Sequence, residues 1–249
     1  MFVCCDFLQE QTVAWLTISV PEKKNALSSA VMKELDQNLR TVQNHPQLRV
    51  VILSGAGGTF AAGVDLTEVA PMTPEKAVEL DYLGPFWRSL SSFPLPTIAV
   101  VSGYALGGGF ELALMCDLII ASDTAQFGFP EVSWGLLPGL GGTQKLTRLI
   151  GPYRSAELCF TGAFLTAEEA RSLGILSRVV PEERLRETVL DLAEKICQQP
   201  RTSLQRIKEA IACSQETSLS AGLERERQLF FTALATPEKE ERTKRFRKP

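Results

Sequence analysis

The sequence predicts an α/β fold that gives way to a helical C-terminal region, and three observations carry this. Short apolar runs, among them Arg49-Val-Val-Ile-Leu-Ser54 and Thr97-Ile-Ala-Val-Val101, alternate with stretches whose apolar residues recur at three- and four-residue spacing. Glycine-rich loops follow these two runs directly, at 55–63 and 103–109. From about residue 143 the patterns become mostly amphipathic and helical. With 249 residues, 45% of them hydrophobic and 22% charged, the chain can bury a substantial core.

In chain order, Val13–Ser19 reads as a strand by its β-branched and aromatic content. A helix follows from about 29 to 43, with Met32, Leu35, Leu39 and Val42 on one face. The run 49–54 is a buried strand ending at Gly55. A polar helix opens at Thr73-Pro74-Glu75, where proline suits the first helical position. The strand at 97–101 runs into the 103–109 turn and a helix from about 109 to 116, and Leu118–Ala121 is a strand again. Thr166-Ala-Glu-Glu169 has the spacing of a capping box, with Gly174 ending that helix. Segments 182–198, 201–213 and 218–234 are amphipathic, and in the last Leu219, Leu223, Phe230 and Leu234 share a face.

Composition narrows the function. A net charge of −3 gives no general attraction to nucleic acid or anionic membrane, and no apolar run approaches the length of a membrane span. Met1-Phe-Val-Cys-Cys-Asp-Phe lacks the pattern of a secretion or transit signal, so a cytoplasmic protein is expected. Cysteines at 4, 5, 116, 159, 197 and 213 form no Cys-x-x-Cys pair, so reduced thiols and no metal site are expected. The single histidine, His45, lies in a turn-like Asn-His-Pro with nothing nearby to support a histidine-dependent nucleophile. Acid–base chemistry must then come from other groups.

The glycine loop at 55–58 fails as a dinucleotide fingerprint, because Phe60 stands where the last glycine is required, and no P-loop occurs. Gly107-Gly-Gly109 differs, since it opens a helix carrying Glu111. Bare N–H groups at such a helix start can stabilise a developing negative oxygen, although close helix–strand packing alone would also call for glycine. Glu111 and Glu131 stand in the least polar stretch of the chain, where a charge is costly and calls for a reason.

The ordered set Thr59-Phe-Ala-Ala-Gly-Val-Asp-Leu66, Gly103–Asp117, Ala125–Glu131, Gly135–Leu146 and Leu158–Gly162, preceded by Pro21–Ser28, resembles the enoyl-CoA hydratase/isomerase (crotonase) superfamily. The similarity runs from about residue 10 to 236. The resemblance implies a crotonase-like spiral core of ββα units over 1–195 and a C-terminal helical region over 196–249 used in trimerisation, giving a homotrimer or dimer of trimers. It implies an acyl-CoA thioester substrate, with coenzyme A part of that substrate and no separate cofactor. The thioester oxygen would lie between the backbone N–H groups of Val64 and Gly108, with Ala26, Ala62, Asp65 and Leu66 along the CoA and acyl path. Glu111 would activate water and Glu131 would protonate C2. Both glutamates together favour a hydratase over a Δ3,Δ2-enoyl-CoA isomerase, whose members often lack the match to Glu111.

Departures from the family pattern are Val64 in place of a smaller alanine, Thr67 where a lysine can occur, and Phe129 and Trp134 flanking Glu131 as either acyl-pocket or core aromatics. The chain ends at Arg245-Phe-Arg-Lys-Pro249, short of the family's basic-aromatic tail, which puts a CoA contact from that tail in doubt. Some relatives bind RNA through a lysine-rich helix; here Glu240 and Glu241 interrupt the basic residues of 239–248, favouring a solvated helix or tail.

Overall fold

The computed structural model describes residues 1–246. In order, the elements are β1 (Val3–Leu8), β2 (Val13–Ile18), α1 (Ser29–Gln43), β3 (Val50–Gly55), α2 (Leu66–Val69), α3 (Pro74–Glu79) and α4 (Gly84–Ser91). They continue with β4 (Thr97–Val101), β5 (Tyr104–Leu106), α5 (Gly108–Met115), β6 (Leu118–Ser122), β7 (Gln126–Gly128) and a 3-10 turn at Pro130–Trp134. Then come α6 (Gly142–Ile150), α7 (Pro152–Thr161), β8 (Phe164–Thr166), α8 (Ala167–Ser172) and β9 (Arg178–Val180). Four helices follow: α9 (Glu182–Cys197), α10 (Arg201–Ser214), α11 (Leu219–Leu234) and α12 (Pro237–Thr243).

The apolar runs become one six-stranded sheet, ordered β1-β2-β3-β4-β6-β9, parallel except for the β1–β2 pair. Side chains alternate between its faces, and both faces are covered. Val51, Leu53, Ala99, Val101 and Ala121 join the core built with α1, α4 and α5. Val50, Ile52, Ile98, Val100 and Ile120 meet Leu185, Val189 and Ala193 of α9. Continuous apolar runs, rather than alternating ones, are what a sheet buried on both sides requires. Helix α9 therefore belongs to the core and runs two residues past the expected boundary at 195.

A second, three-stranded sheet has the order β5-β7-β8, with Ala61 bridging to Ala105 at its edge. The large-sheet strands β3, β4 and β6 are followed respectively by Ala61, β5 and β7. The chain thus steps from one sheet to the next in successive turns, which is the spiral expected.

Local signals are met where they were read. Ser28 caps α1, Thr73 caps α3 with Pro74 following, and Thr166 and Glu169 form the reciprocal capping box. The face read on α11 does not fill the core: Leu219, Leu223, Phe230 and Leu234 are exposed, while Leu229 is buried. Residues 237–246 form α12 and a 3-10 turn; residues 247–249, part of the segment read as a basic tail, lie outside the described residues.

Candidate active site

Helix α5 is buried on every side, from Gly108 to Met115. Its one charged residue, Glu111, is 2% exposed and must find partners or stay neutral. Its Oε1 accepts hydrogen bonds from the N–H groups of Leu140 and Gly142, both at 2.7 Å. These donors lie at the start of α6, where helical geometry leaves N–H groups without intrahelical acceptors. Burial pushes the Glu111 carboxyl above its ordinary range, and the N–H groups of Gly142, Leu140 and Gly139 act against that rise.

Glu131 lies on the 3-10 turn, in a different setting. A Cβ at position 107 would come 2.9 Å from its Oε1, so glycine there leaves room for the carboxyl group beside the start of α5. Its Oε2 is buried without a hydrogen-bond partner. Burial, reinforced by the charge of Glu111, pushes its carboxyl up to about 7. Two carboxyl groups thus share one region in unlike surroundings, one held by the N–H groups of Leu140 and Gly142 and the other with a buried oxygen left unpartnered, an arrangement that separates an acid from a base.

The Gly63–Asp65 segment supplies a further feature. Leu27 N–H donates to Gly63 O at 2.7 Å, and Asp65 N–H donates to Leu27 O at 3.3 Å. Bonding on both sides of Val64 turns that residue's own N–H toward the opposite side of the segment. Gly108 lies there: a Cβ built on it would come 3.4 Å from Val64 N and 3.1 Å from Val64 Cγ1. Gly108 is the first residue of α5, so its N–H has no intrahelical acceptor. Two backbone donors therefore stand side by side next to the carboxyl pair.

A family model described as enoyl-CoA hydratase/isomerase matches residues 8–248. The chain belongs to this family. Among similar proteins, the probable enoyl-CoA hydratase echA8 of Mycobacterium tuberculosis is 42% identical over 233 residues, covering 94% of this chain and 90% of that protein. The 2,3-dehydroadipyl-CoA hydratase of Escherichia coli is 39% identical over 234 residues, covering 94% and 91%. An enoyl-CoA hydratase subunit structure from Geobacillus kaustophilus superposes with a TM-score of 0.93 at 41% identity, covering 100% of this chain and 97% of that one. That of Thermoplasma volcanium gives 0.90 at 30% identity, covering 100% and 98%.

Within this enoyl-CoA hydratase/isomerase chain, the structure brings together Glu111, Glu131, Val64 and Gly108. Ala26 and Ala62 are half-buried on neighbouring loops, joined through Lys23 and Lys24 by hydrogen bonds from Ala26 N to Lys23 O and from Ala62 N to Lys24 O. Leu66 is exposed at the start of α2. Asp65 turns its carboxylate to Lys23 and Thr67.

The aromatics also sort themselves. Phe129 is 1% exposed, stacks on Phe110 at 4.9 Å and lies beneath Gly142, so it belongs to the core. Trp134 is 64% exposed. A second aromatic near the loop holding Glu111 is Trp87 of α4, whose Nε1 lies 3.9 Å from the Cβ position of Gly141. Sequence reading missed Trp87, the Leu140 and Gly142 donors, and Asn25. Asn25 is fully buried; its Oδ1 accepts from Val20 N, and its Nδ2 donates to Ala56 O and Thr59 O. His45 packs against Phe7 with the rings tilted by 40°, and its carbonyl accepts from Arg201.

Proposed function

We propose that the chain is an enoyl-CoA hydratase that adds water across the 2,3 double bond of an α,β-unsaturated acyl-CoA, and that Glu111 and Glu131 divide the proton transfers. The observation carrying this reading is the unlike pair of carboxyl groups, Glu111 buried and Glu131 partly so, beside two free backbone donors. Water adds to C3 while giving a proton to Glu111, whose ionised form is favoured by the Leu140 and Gly142 N–H groups. The electron pair of the double bond moves onto the thioester oxygen as an enolate. The N–H groups of Val64 and Gly108 stabilise that charge, each contributing on the order of 3 kcal/mol. Glu131 gives its proton to C2, and the enolate collapses to the 3-hydroxyacyl thioester. A carboxyl raised to about 7 holds a proton at neutral pH more readily than an ordinary glutamate.

Ala26, Ala62 and Leu66 lie along the CoA and acyl path in this reading. The 196–249 region, with the exposed face of Leu223, Phe230 and Leu234, supports assembly into trimers or dimers of trimers, because such apolar area is usually covered in solution. Light scattering on the eluted protein would give three or six times the 27.3 kDa chain mass; a monomer at micromolar concentration would refute this part.

Activity is tested by following loss of the conjugated-thioester absorbance across a panel of 2-enoyl-CoA substrates, with mass analysis of the products. The expected product is the substrate plus one water. Absence of hydration across short, long, branched and dicarboxylic acyl groups would refute the assignment.

A further inference from the structure

We propose that Asp65 is a positioning residue for the Val64 N–H donor, and that with Glu68 it clamps the oxyanion segment onto the 23–29 segment without touching substrate. The inference rests on the reading of Val64 as an oxyanion donor. Helix α2 has four residues and no buried side chain, so it cannot hold its own N-terminus in place. The orientation of Val64 therefore depends on anchors to either side.

Those anchors converge on one partner segment. Upstream, Leu27 N–H holds Gly63 O; immediately downstream, Leu27 O holds Asp65 N–H. The Asp65 side chain, 7% exposed, then spends both oxygens: Oδ1 accepts from Thr67 N at 3.0 Å and Thr67 Oγ1 at 2.7 Å, and Oδ2 accepts from Lys23 Nζ at 2.9 Å. One turn on, Glu68 Oε2 accepts from Ser29 N at 2.9 Å and Ser29 Oγ at 2.6 Å. The partner segment is itself fixed, because the buried Asn25 amide group ties it to Ala56 and Thr59. The Thr67 hydroxyl and the Lys23 ammonium hold the Asp65 carboxyl below its ordinary range, so the clamp is charged at neutral pH. Both carboxylate oxygens of Asp65 are committed to partners within the chain.

An oxyanion donor works only where the developing charge will be, and a misplacement of about 1 Å in a site can cost about 100-fold in rate. Loosening the clamp should therefore lower kcat and leave CoA affinity alone. The test measures three quantities on wild type, Asp65→Asn, Glu68→Gln and Lys23→Met: kcat on the best enoyl-CoA, Kd for free CoA, and the red shift of cinnamoyl-CoA absorbance on binding, which reports polarisation of the thioester carbonyl. Asp65→Asn is expected to lose on the order of 10-fold in kcat with a diminished red shift, keeping Kd for CoA within about twofold. Glu68→Gln and Lys23→Met should show smaller losses with the same split.

Wild-type kcat and red shift in Asp65→Asn would overturn the proposal. So would an unchanged red shift accompanied by a raised Kd for CoA, the signature of a direct CoA contact. If Asp65→Asn fails to fold, Lys23→Met decides by the same criteria, since Lys23 is largely exposed. Failure of the oxyanion reading itself looks different: wild type would then show no red shift on binding cinnamoyl-CoA.

Discussion

Replacing Glu131 by glutamine should stabilise the fold while removing the acid, and the stabilisation should grow with pH. In the native state burial and the charge of Glu111 raise this carboxyl from 4.5 to about 7, so the folded chain holds the proton more tightly than the unfolded chain. Between these values the native state binds more protons, and stability falls as pH rises. Below about 4.5 the group is protonated in both states and costs nothing; above about 7 the full penalty is present. A difference of this size corresponds to at most about 3 kcal/mol, and partial solvent access at Glu131 screens it to about 1–2 kcal/mol. Glutamine has the same shape and carries no charge, so the variant escapes the penalty. Urea midpoints of wild type and Glu131→Gln, measured at pH 5 and pH 8 at one protein concentration, give the answer. The variant should gain on wild type between the two pH values. A gap that stays constant, or that favours wild type at pH 8, would refute the argument that Glu131 is held in a setting hostile to its charge.

Other consequences follow from the packing. Gly142→Ala would place a methyl group 2.6 Å from the Phe129 ring and 2.9 Å from Glu111 Oε1; steady-state assays should show kcat down by about 100-fold or more with the oligomer intact. In Gly108→Ala the methyl would sit 3.1 Å from Val64 Cγ1 and 3.4 Å from Val64 N, against the Val64 donor. Its kcat should fall by about 10²–10³-fold, and cinnamoyl-CoA bound to it should lose its red shift. Trp87→Ala opens the wall beside Gly141, so kcat/KM should shift from short toward bulkier acyl groups, by about 10-fold in the ratio. An unchanged ratio would show that Trp87 does not shape acyl selectivity.

Much of the fold was legible because its signals are local. The buried strands announce themselves as apolar runs, and α1 begins and ends where its periodicity does, at Ser29 and Gln43. The three-residue strands β5, β7 and β8 have too few side chains to show a period, and each exists only through pairing with a distant segment. The α11 face shows the limit of periodicity: spacing reveals which residues share a face, but not whether the subunit's own core or another surface covers it. At the site, Glu111 and Glu131 stood out as charges in apolar sequence, and Gly107–Gly109 as a helix start. The groups that orient Glu111 are backbone amides at Leu140 and Gly142, whose function no side chain records. Asn25 lies inside the Pro21–Ser28 segment, but its burial depends on the distant loop of Ala56 and Thr59 folding against it.

The central claim is that Glu111 and Glu131 act as a unit on one water, and the most direct measurement of it compares hydration rates of wild type, Glu111→Gln, Glu131→Gln and the double variant. Each single change should lower kcat by about 10³-fold or more, and the double variant should be about as slow as the worse single one. A double variant whose loss equals the product of the two single losses, or a single variant with near-normal turnover, would contradict the account.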